Sequence, residues 1–403
     1  MKCVIVGAGQ AARRAAEALR ERSAEVEIDL FGDEPDMPYD RPTLSKDVLR
    51  SPNAESDVFI RELSYYQEQR IGLHLNCPVQ EIDRASKRIW LENGHEVPYD
   101  RLLLATGSRA RKFTGRVDAG ALQYLRTLTD ARSLRFALKR SKRVAVIGGG
   151  FIGLEVAASA VSHGCSVTVF ESANALLQRV MPAQISRYMR DLHLSHGVDV
   201  RVGVVPYELC LNADKTVKVC TNAGDVEADL VVAGIGAVPN VELAQKAGLR
   251  VSNGIVVDEQ CRTDDPDIFA AGDVTNHYNP LLGRFIRVES WFVAESQPVI
   301  AAANMLGESE TYAEFPWLWS DQYRCNLQTL GTFTSDLQVV CRGRAVDGKF
   351  SVLGVDGSGR LRAACTVNNG RDMAALKRMA VSQQVLRVDQ LGNDALSLRA
   401  LSA

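Results

Sequence analysis

Short, uninterrupted apolar runs recur along most of this chain, and several of them end on glycine. Val4-Ile5-Val6 leads into Gly7-Ala8-Gly9, and Val144-Ala145-Val146-Ile147 leads into Gly148-Gly149-Gly150. An alanine-rich stretch with helical character follows each glycine cluster, and then a second run: Val26-Glu27-Ile28-Asp29-Leu30-Phe31 in the first case, Ser166-Val167-Thr168-Val169-Phe170 in the second. Leu102-Leu103-Leu104-Ala105, Leu230-Val231-Val232-Ala233 and Ile268-Phe269-Ala270-Ala271 read as further buried strands closing on small turns. Strands that alternate with helices build parallel sheets covered on both faces. Beyond about residue 317 the pattern changes. Leu337-Gln338-Val339-Val340 and Phe350-Ser351-Val352-Leu353 look like antiparallel strands, and a helix follows near residues 371–380. The expected class is α/β, with two Rossmann-like dinucleotide-binding domains and a smaller C-terminal α+β domain.

The two glycine clusters are the same device, 141 positions apart from Gly7 to Gly148. In such a loop the first glycine permits a tight strand-to-helix turn. The second lets backbone approach a pyrophosphate, and the third small residue lets helix and strand pack. The pyrophosphate then rests on free N–H groups at the positive end of the helix. A carboxylate about 20 residues further on binds a ribose. Asp33 fills that place in the first unit, with Glu34 as the alternative, and Glu171 fills it in the second. Ala12 replaces the third glycine of the first unit, whereas the second retains Gly153. Two such units in one chain imply two dinucleotides and electron transfer between them.

Composition narrows the class without adding chemistry. The chain has 403 residues, 46% hydrophobic and 24% charged, with 47 basic against 49 acidic residues. That length gives two or three domains, and the charge balance provides no global field for nucleic acid or a membrane. Met1-Lys2 runs straight into a cofactor-loop strand, so no signal peptide is expected. No apolar run reaches the length of a membrane span, and a cytoplasmic location is expected. The nine cysteines form no CxxC or CxxxxC pair, which argues against a local redox disulfide, an iron–sulfur cluster or a zinc site. His193 and His196 read as surface residues of a helix. No metal site is expected.

Longer motifs carry a family resemblance across nearly the whole length. They are Pro38-Tyr39-Asp40-Arg41-Pro42-Thr43-Leu44-Ser45-Lys46, Ala105-Thr106-Gly107-Ser108-Arg109, Tyr124-Leu125-Arg126-Thr127, Ala271-Gly272-Asp273-Val274, Val288-Glu289-Ser290-Trp291 and Trp317-Leu318-Trp319-Ser320-Asp321-Gln322. With these, the chain resembles the FAD-dependent NADH:ferredoxin reductases of bacterial ring-hydroxylating dioxygenase and cytochrome P450 systems, the putidaredoxin reductase-like group. Their fold is of the glutathione-reductase type without its catalytic disulfide. The resemblance implies a discontinuous FAD domain (residues 1–107 and 237–317), an NAD domain (108–236) and a C-terminal domain (318–403). Two departures stand out. Thr43 takes the place of a second proline, which should loosen that loop, and Pro298 should kink the helix after Trp291 or shift its start.

The resemblance also implies roles. For FAD they fall on Gly7, Gly9 and Ala11 at the pyrophosphate, Asp33 at the ribose, Asp273 at the ribityl chain, and Lys46, Val79, Arg126 and Trp291 around the remainder. For NAD they fall on Gly148, Gly150, Gly153, Glu171, Gly234 and Gly236. Lys46, Glu155 and Trp319 would serve the reaction itself. Ser172-Ala173-Asn174 after Glu171 lacks an arginine for a 2′-phosphate, so NADH should be preferred to NADPH. The implied acceptor is a [2Fe–2S] ferredoxin feeding a terminal oxygenase of aromatic-hydrocarbon catabolism. Arg41, Lys46, Arg284 and Arg287 offer it a basic rim. A rubredoxin reductase, an NADH oxidase and a redox-sensing flavoprotein like apoptosis-inducing factor share many of these motifs. The sequence leaves the oligomeric state open.

Overall fold

The computed structural model describes residues Met1–Leu401. They form two compact units. The first comprises Met1–Arg41, Ser56–Arg109 and Ala237–Pro316, and the second comprises Pro42–Glu55, Ala110–Gly236 and the chain from Trp317 onward.

The first unit is built on a five-stranded parallel sheet. Its strand order is Ile268–Ala270, Arg101–Leu104, Lys2–Val6, Glu27–Phe31, Ile71–His74. Side chains of a strand alternate between faces, and both faces of this sheet are covered. Cys3 and Ile5 join a core with helices Gln10–Arg22 and Trp291–Met305. Val4 and Val6 join a second core with Ile82, Ile89 and Leu91, which belong to a small antiparallel sheet of Val79–Asp83, Arg88–Leu91 and Glu96–Pro98. That two-sided burial is the reason the apolar runs are continuous. Ala12, Ala15, Ala16, Ala301 and Ala302 are all fully buried, so the two helices pack backbone against backbone. Helix Trp291–Met305 passes through Pro298 without interruption and starts at Trp291. The expected displacement of its start does not occur; Ser290 caps it by accepting a hydrogen bond from the Val293 N–H.

The second unit repeats the parallel sheet in the order Gln123–Tyr124, Leu230–Ala233, Arg143–Ile147, Ser166–Glu171, Asp199–Val202. A four-stranded sheet of Val226–Ala228, Val217–Thr221, Pro206–Leu211 and Arg116–Val117 accompanies it. The C-terminal part is antiparallel, ordered Trp317–Gln322, Cys325–Gly331, Leu361–Val367, Lys349–Val355, Gln338–Arg344, with helix Gly370–Ser382 packed on it. Among the described residues, no helix is long and apolar enough to cross a membrane.

The two helical histidines, both expected at the surface, differ. His196 is exposed, but His193 is fully buried, with Nε2 on Gln322 Oε1 at 2.8 Å and Nδ1 on the Tyr323 hydroxyl at 3.0 Å. Burial holds its pKa below the usual histidine value. The helix Ala183–Ser195 that carries it presents Ile185, Met189 and His193 inward at helical spacing, a stripe whose last member is polar.

Candidate functional site

In the first unit, strand Lys2–Val6 ends on Gly7 at φ +118°, and its N–H bonds the Phe31 carbonyl at 2.7 Å. A Cβ at Gly7 would lie 2.3 Å from the Ala105 carbonyl oxygen, so only glycine fits. Gly9 caps helix Gln10–Arg22, and a Cβ there would approach only Arg41 Nη2, at 3.7 Å. That side of the loop is open. The helix has no side-chain cap and no acid in its first turn, which leaves its first N–H donors to an anion. Ala11 is buried, and a Cβ on Gly272 would come within 2.9 Å of its methyl. Asp33 is exposed just past the second strand. Glu34, by contrast, is committed, accepting from the Tyr39 hydroxyl and the Arg41 guanidinium.

Several other residues singled out from the sequence gather in the same unit. Asp273 follows strand Ile268–Ala270 and accepts a hydrogen bond from the Ser108 hydroxyl at 3.0 Å. Gly272, beside it, donates its N–H to Gln297 Oε1 at 2.8 Å, which ties the turn to helix Trp291–Met305. The Trp291 indole donates to Asp40 Oδ1 at 2.9 Å. Val79 is half-buried on the rim of the second core.

The second unit contains the matching cradle. Gly148 stands at φ +110°, and a Cβ there would lie 2.4 Å from the Gly234 carbonyl oxygen. Gly150 caps helix Phe151–Ser162 with no side-chain bond and no first-turn acid, and a Cβ on it would meet nothing nearer than Gly234 O at 3.9 Å. A Cβ at Gly153 would fall 2.0 Å from the Gly148 carbonyl oxygen, so the helix is seated directly on the loop. Gly234 closes the same contact from the neighbouring strand, and Gly236 follows at φ +103°. Glu171 ends strand Ser166–Glu171. Its carboxylate accepts from the Gly149 N–H and the Ala173 N–H, both at 2.7 Å. Both cradles therefore have what a dinucleotide pyrophosphate requires: an uncapped helix N-terminus, backbone free of Cβ on the approach side, and an acid at the end of the second strand.

A buried charge cluster lies elsewhere in the second unit. Glu155, on helix Phe151–Ser162, is 3% exposed. Lys46 Nζ stands 3.1 Å from its Oε1 and also donates to the Pro42 carbonyl at 3.0 Å. The Ser320 hydroxyl donates to Oε1 at 2.6 Å, and the Ser45 hydroxyl donates to Oε2. A buried carboxylate costs little when it is paired and fully hydrogen-bonded, and here both oxygens are engaged. The structure thus joins Lys46 and Glu155, two of the residues expected to serve the reaction, in one ion pair. It also adds Ser45 and Ser320, which the sequence reading passed over. Their only linear signal was membership of the LSK and WSDQ segments.

Trp319 lies on strand Trp317–Gln322, one residue from Ser320. It stacks on Trp317 at a centroid separation of 5.3 Å, and Lys377 Nζ sits 3.7 Å above the Trp317 ring. Arg126 is half-buried and donates its backbone N–H to Asp130, which completes the capping box of Thr127 on helix Leu128–Leu138. The expected basic rim does not hold as drawn. Lys46 is buried against Glu155, Arg41 is bound to Glu34, and Arg287 is bound to Glu289; Arg284 is exposed. Among the described residues, one group has ligand atoms close enough to share a metal ion: Glu208, Cys210 and Cys220.

The comparisons agree with this architecture. Residues 1–297 match the family model described as pyridine nucleotide-disulphide oxidoreductase, and residues 317–402 match one described as reductase C-terminal. The chain is 52% identical over 397 residues to the ferredoxin–NAD(+) reductase component of the anthranilate 1,2-dioxygenase system of Burkholderia cepacia, covering 98% of each chain. Among solved structures it is similar to the ferredoxin reductase for the CYP199A2 system from Rhodopseudomonas palustris (TM-score 0.96, 35% identity, 100% of each chain). It is similar also to the reductase in the covalent putidaredoxin reductase–putidaredoxin complex (TM-score 0.95, 36% identity, 99% of this chain and 97% of that one).

Proposed function

We propose, from the premise that this chain belongs to the pyridine nucleotide-disulphide oxidoreductase family, that it is an NADH-dependent ferredoxin reductase. It moves electrons from NADH through FAD to a [2Fe–2S] ferredoxin, which feeds an aromatic-ring oxygenase. The observation that carries this reading is the pair of cradles, each built around a glycine whose Cβ would strike a carbonyl oxygen and each opening on an uncapped helix. Bound FAD supplies the conversion chemistry, taking up a hydride's two electrons and giving them out singly.

The chain's own residues bind, orient and balance charge. Residues 1–107 and 237–317 form the FAD domain, 108–236 the NAD domain and 318–403 the C-terminal domain. Gly7, Gly9 and Ala11 hold the FAD pyrophosphate against the first helix, and Asp33 takes the ribose. Asp273, held by Ser108, orients the ribityl chain. Val79, Arg126 and Trp291 complete FAD binding. Gly148, Gly150 and Gly153 hold the NADH pyrophosphate, with Gly234 and Gly236 at its nicotinamide end. Glu171, fixed by two backbone N–H groups, takes the ribose 2′-hydroxyl and repels a 2′-phosphate, so NADH is used in preference to NADPH. Lys46 and Glu155 act in the reaction as one ion-paired unit, with Ser45 and Ser320 holding the carboxylate in place. Trp319 lies on the electrons' way out. The chain works in the cytoplasm.

Acceptor competition tests the assignment. The holoenzyme reduced by NADH should be rapidly reoxidised by a [2Fe–2S] ferredoxin, such as that of an anthranilate dioxygenase system. Rubredoxin and oxygen should be slow. Faster turnover with rubredoxin or oxygen would replace the proposed acceptor. Slow reoxidation by every acceptor would favour a redox sensor.

A further inference from the structure

We propose that Glu208, Cys210 and Cys220 bind one thiophilic divalent cation of the Zn2+ type.

Strands Pro206–Leu211 and Val217–Thr221 pair antiparallel, with Glu208 opposite Cys220 and Cys210 opposite Lys218. Residues two apart on a strand share a face, and so do directly opposed residues. Glu208, Cys210 and Cys220 therefore emerge on one face of the hairpin. Their ligand atoms all lie within 4.8 Å of one another. A tetrahedral Zn2+ with bonds of about 2.0–2.3 Å needs ligand atoms roughly 3.3–3.8 Å apart, so each pair has to close by about 1 Å at most. Neither cysteine is in a disulfide. Cys220 is buried and Cys210 half-buried, so the ion would be shielded yet reachable.

The surroundings favour a cation. The Asp118 carboxylate accepts the Leu211 N–H at 2.9 Å, one residue along the strand from Cys210, and adds its negative charge to that of Glu208. Asp225 stands beside Cys220. A divalent ion relieves that concentration of negative charge and stabilises the thiolates. The opposing groups are weakly placed. Arg116 pairs with Glu208 at 3.0 Å but is 76% exposed, and Lys218 is engaged by Asp225 at 2.8 Å on the surface; exposed pairs of this kind contribute little. Three protein ligands leave a fourth position for water. Binding converts both thiols to thiolates, releases their two protons to solvent and transfers no electrons, so affinity should fall as pH falls.

Cobalt is the probe, because its d–d bands lie to the red of flavin absorption. The full chain with its flavin, stripped of metal by a chelator and kept reduced, is titrated with Co2+. We expect a red band that saturates at one cobalt per chain, disappears when Zn2+ is added and is lost in C210S/C220S. A second measurement needs no variant. Zn2+ should slow alkylation of Cys210 and Cys220, mapped by mass, while exposed Cys341 and half-buried Cys77 react as before. The proposal is overturned by the absence of a red band at saturating cobalt, by a band that survives in C210S/C220S, or by alkylation of the two thiols indifferent to Zn2+. If C210S/C220S does not fold, the alkylation result decides.

Discussion

The two cradles share strand order, loop geometry and open helix ends, yet they place their small residues differently. In the second, Gly149 leaves room for Glu171: a Cβ on Gly149 would come within 3.0 Å of that carboxylate, whose oxygen instead accepts the Gly149 N–H. In the first, the pair is reversed. Ala8 has the side chain, and Gly32 has none because a Cβ there would fall 2.4 Å from the Ala8 methyl. The acid of the first cradle is consequently displaced one residue outward, to Asp33. The helices differ as well. Glu155 lies seven residues beyond Gly148 and is buried in the ion pair with Lys46, whereas Arg14, seven beyond Gly7, is partly exposed and pairs with Glu21 on its own helix. One architecture thus has two specialisations: the buried acid of the second helix, Glu155, meets Lys46 from outside that helix, whereas the buried acid of the first, Glu17, pairs with Arg13 on its own helix and with Arg61.

The largest effects come from the glycines. Gly7→Ala forces a Cβ onto a carbonyl at positive φ and should give protein purified without flavin. Gly153→Ala should leave FAD bound and weaken NADH by about 100-fold, since overpacking of ~3 kcal/mol corresponds to that factor. Flavin content and the rate of reduction by NADH read the two separately, and loss of flavin from Gly153→Ala would break the comparison. Next is Lys46→Met, which leaves Glu155 buried without its cation and should cost about 3 kcal/mol in denaturant unfolding. Adding Glu155→Gln should restore part of this; a double variant less stable than the single one would mean that the pair is not the source. Glu171→Gln should lower kcat/KM for NADH by about 10- to 100-fold, because charged hydrogen bonds contribute ~1.5–3 kcal/mol, and should narrow the preference over NADPH. The smallest effect belongs to Asp33→Asn. That side chain is exposed, so FAD affinity should fall by no more than about tenfold, and an effect equal to that of Glu171→Gln would erase the asymmetry.

How much of this could be read in the chain follows from how local each cause is. The glycine loops, their strands and the uncapped helices are set by residues a few positions apart, and the sequence displays them directly. The charge cluster is not local. Lys46 and Glu155 are far apart in the chain, Ser320 is further still, and each had an ordinary reading taken alone. His193 looked like a surface histidine because its partners, Gln322 and Tyr323, arrive from the C-terminal sheet. Cys210 and Cys220 escaped the spacing rules because register across a hairpin, not a short motif, brings them together. The basic rim failed for a related reason: a count of arginines and lysines does not show which are already paired.

The proposed function demands electron exchange between two different dinucleotides, one in each cradle. An anaerobic titration of the purified protein with NADH tests it most directly. The expected result is one FAD per chain, bleached completely by one equivalent of NADH. Protein that cannot be reconstituted with flavin, or bound flavin that stays oxidised in excess NADH, would contradict it.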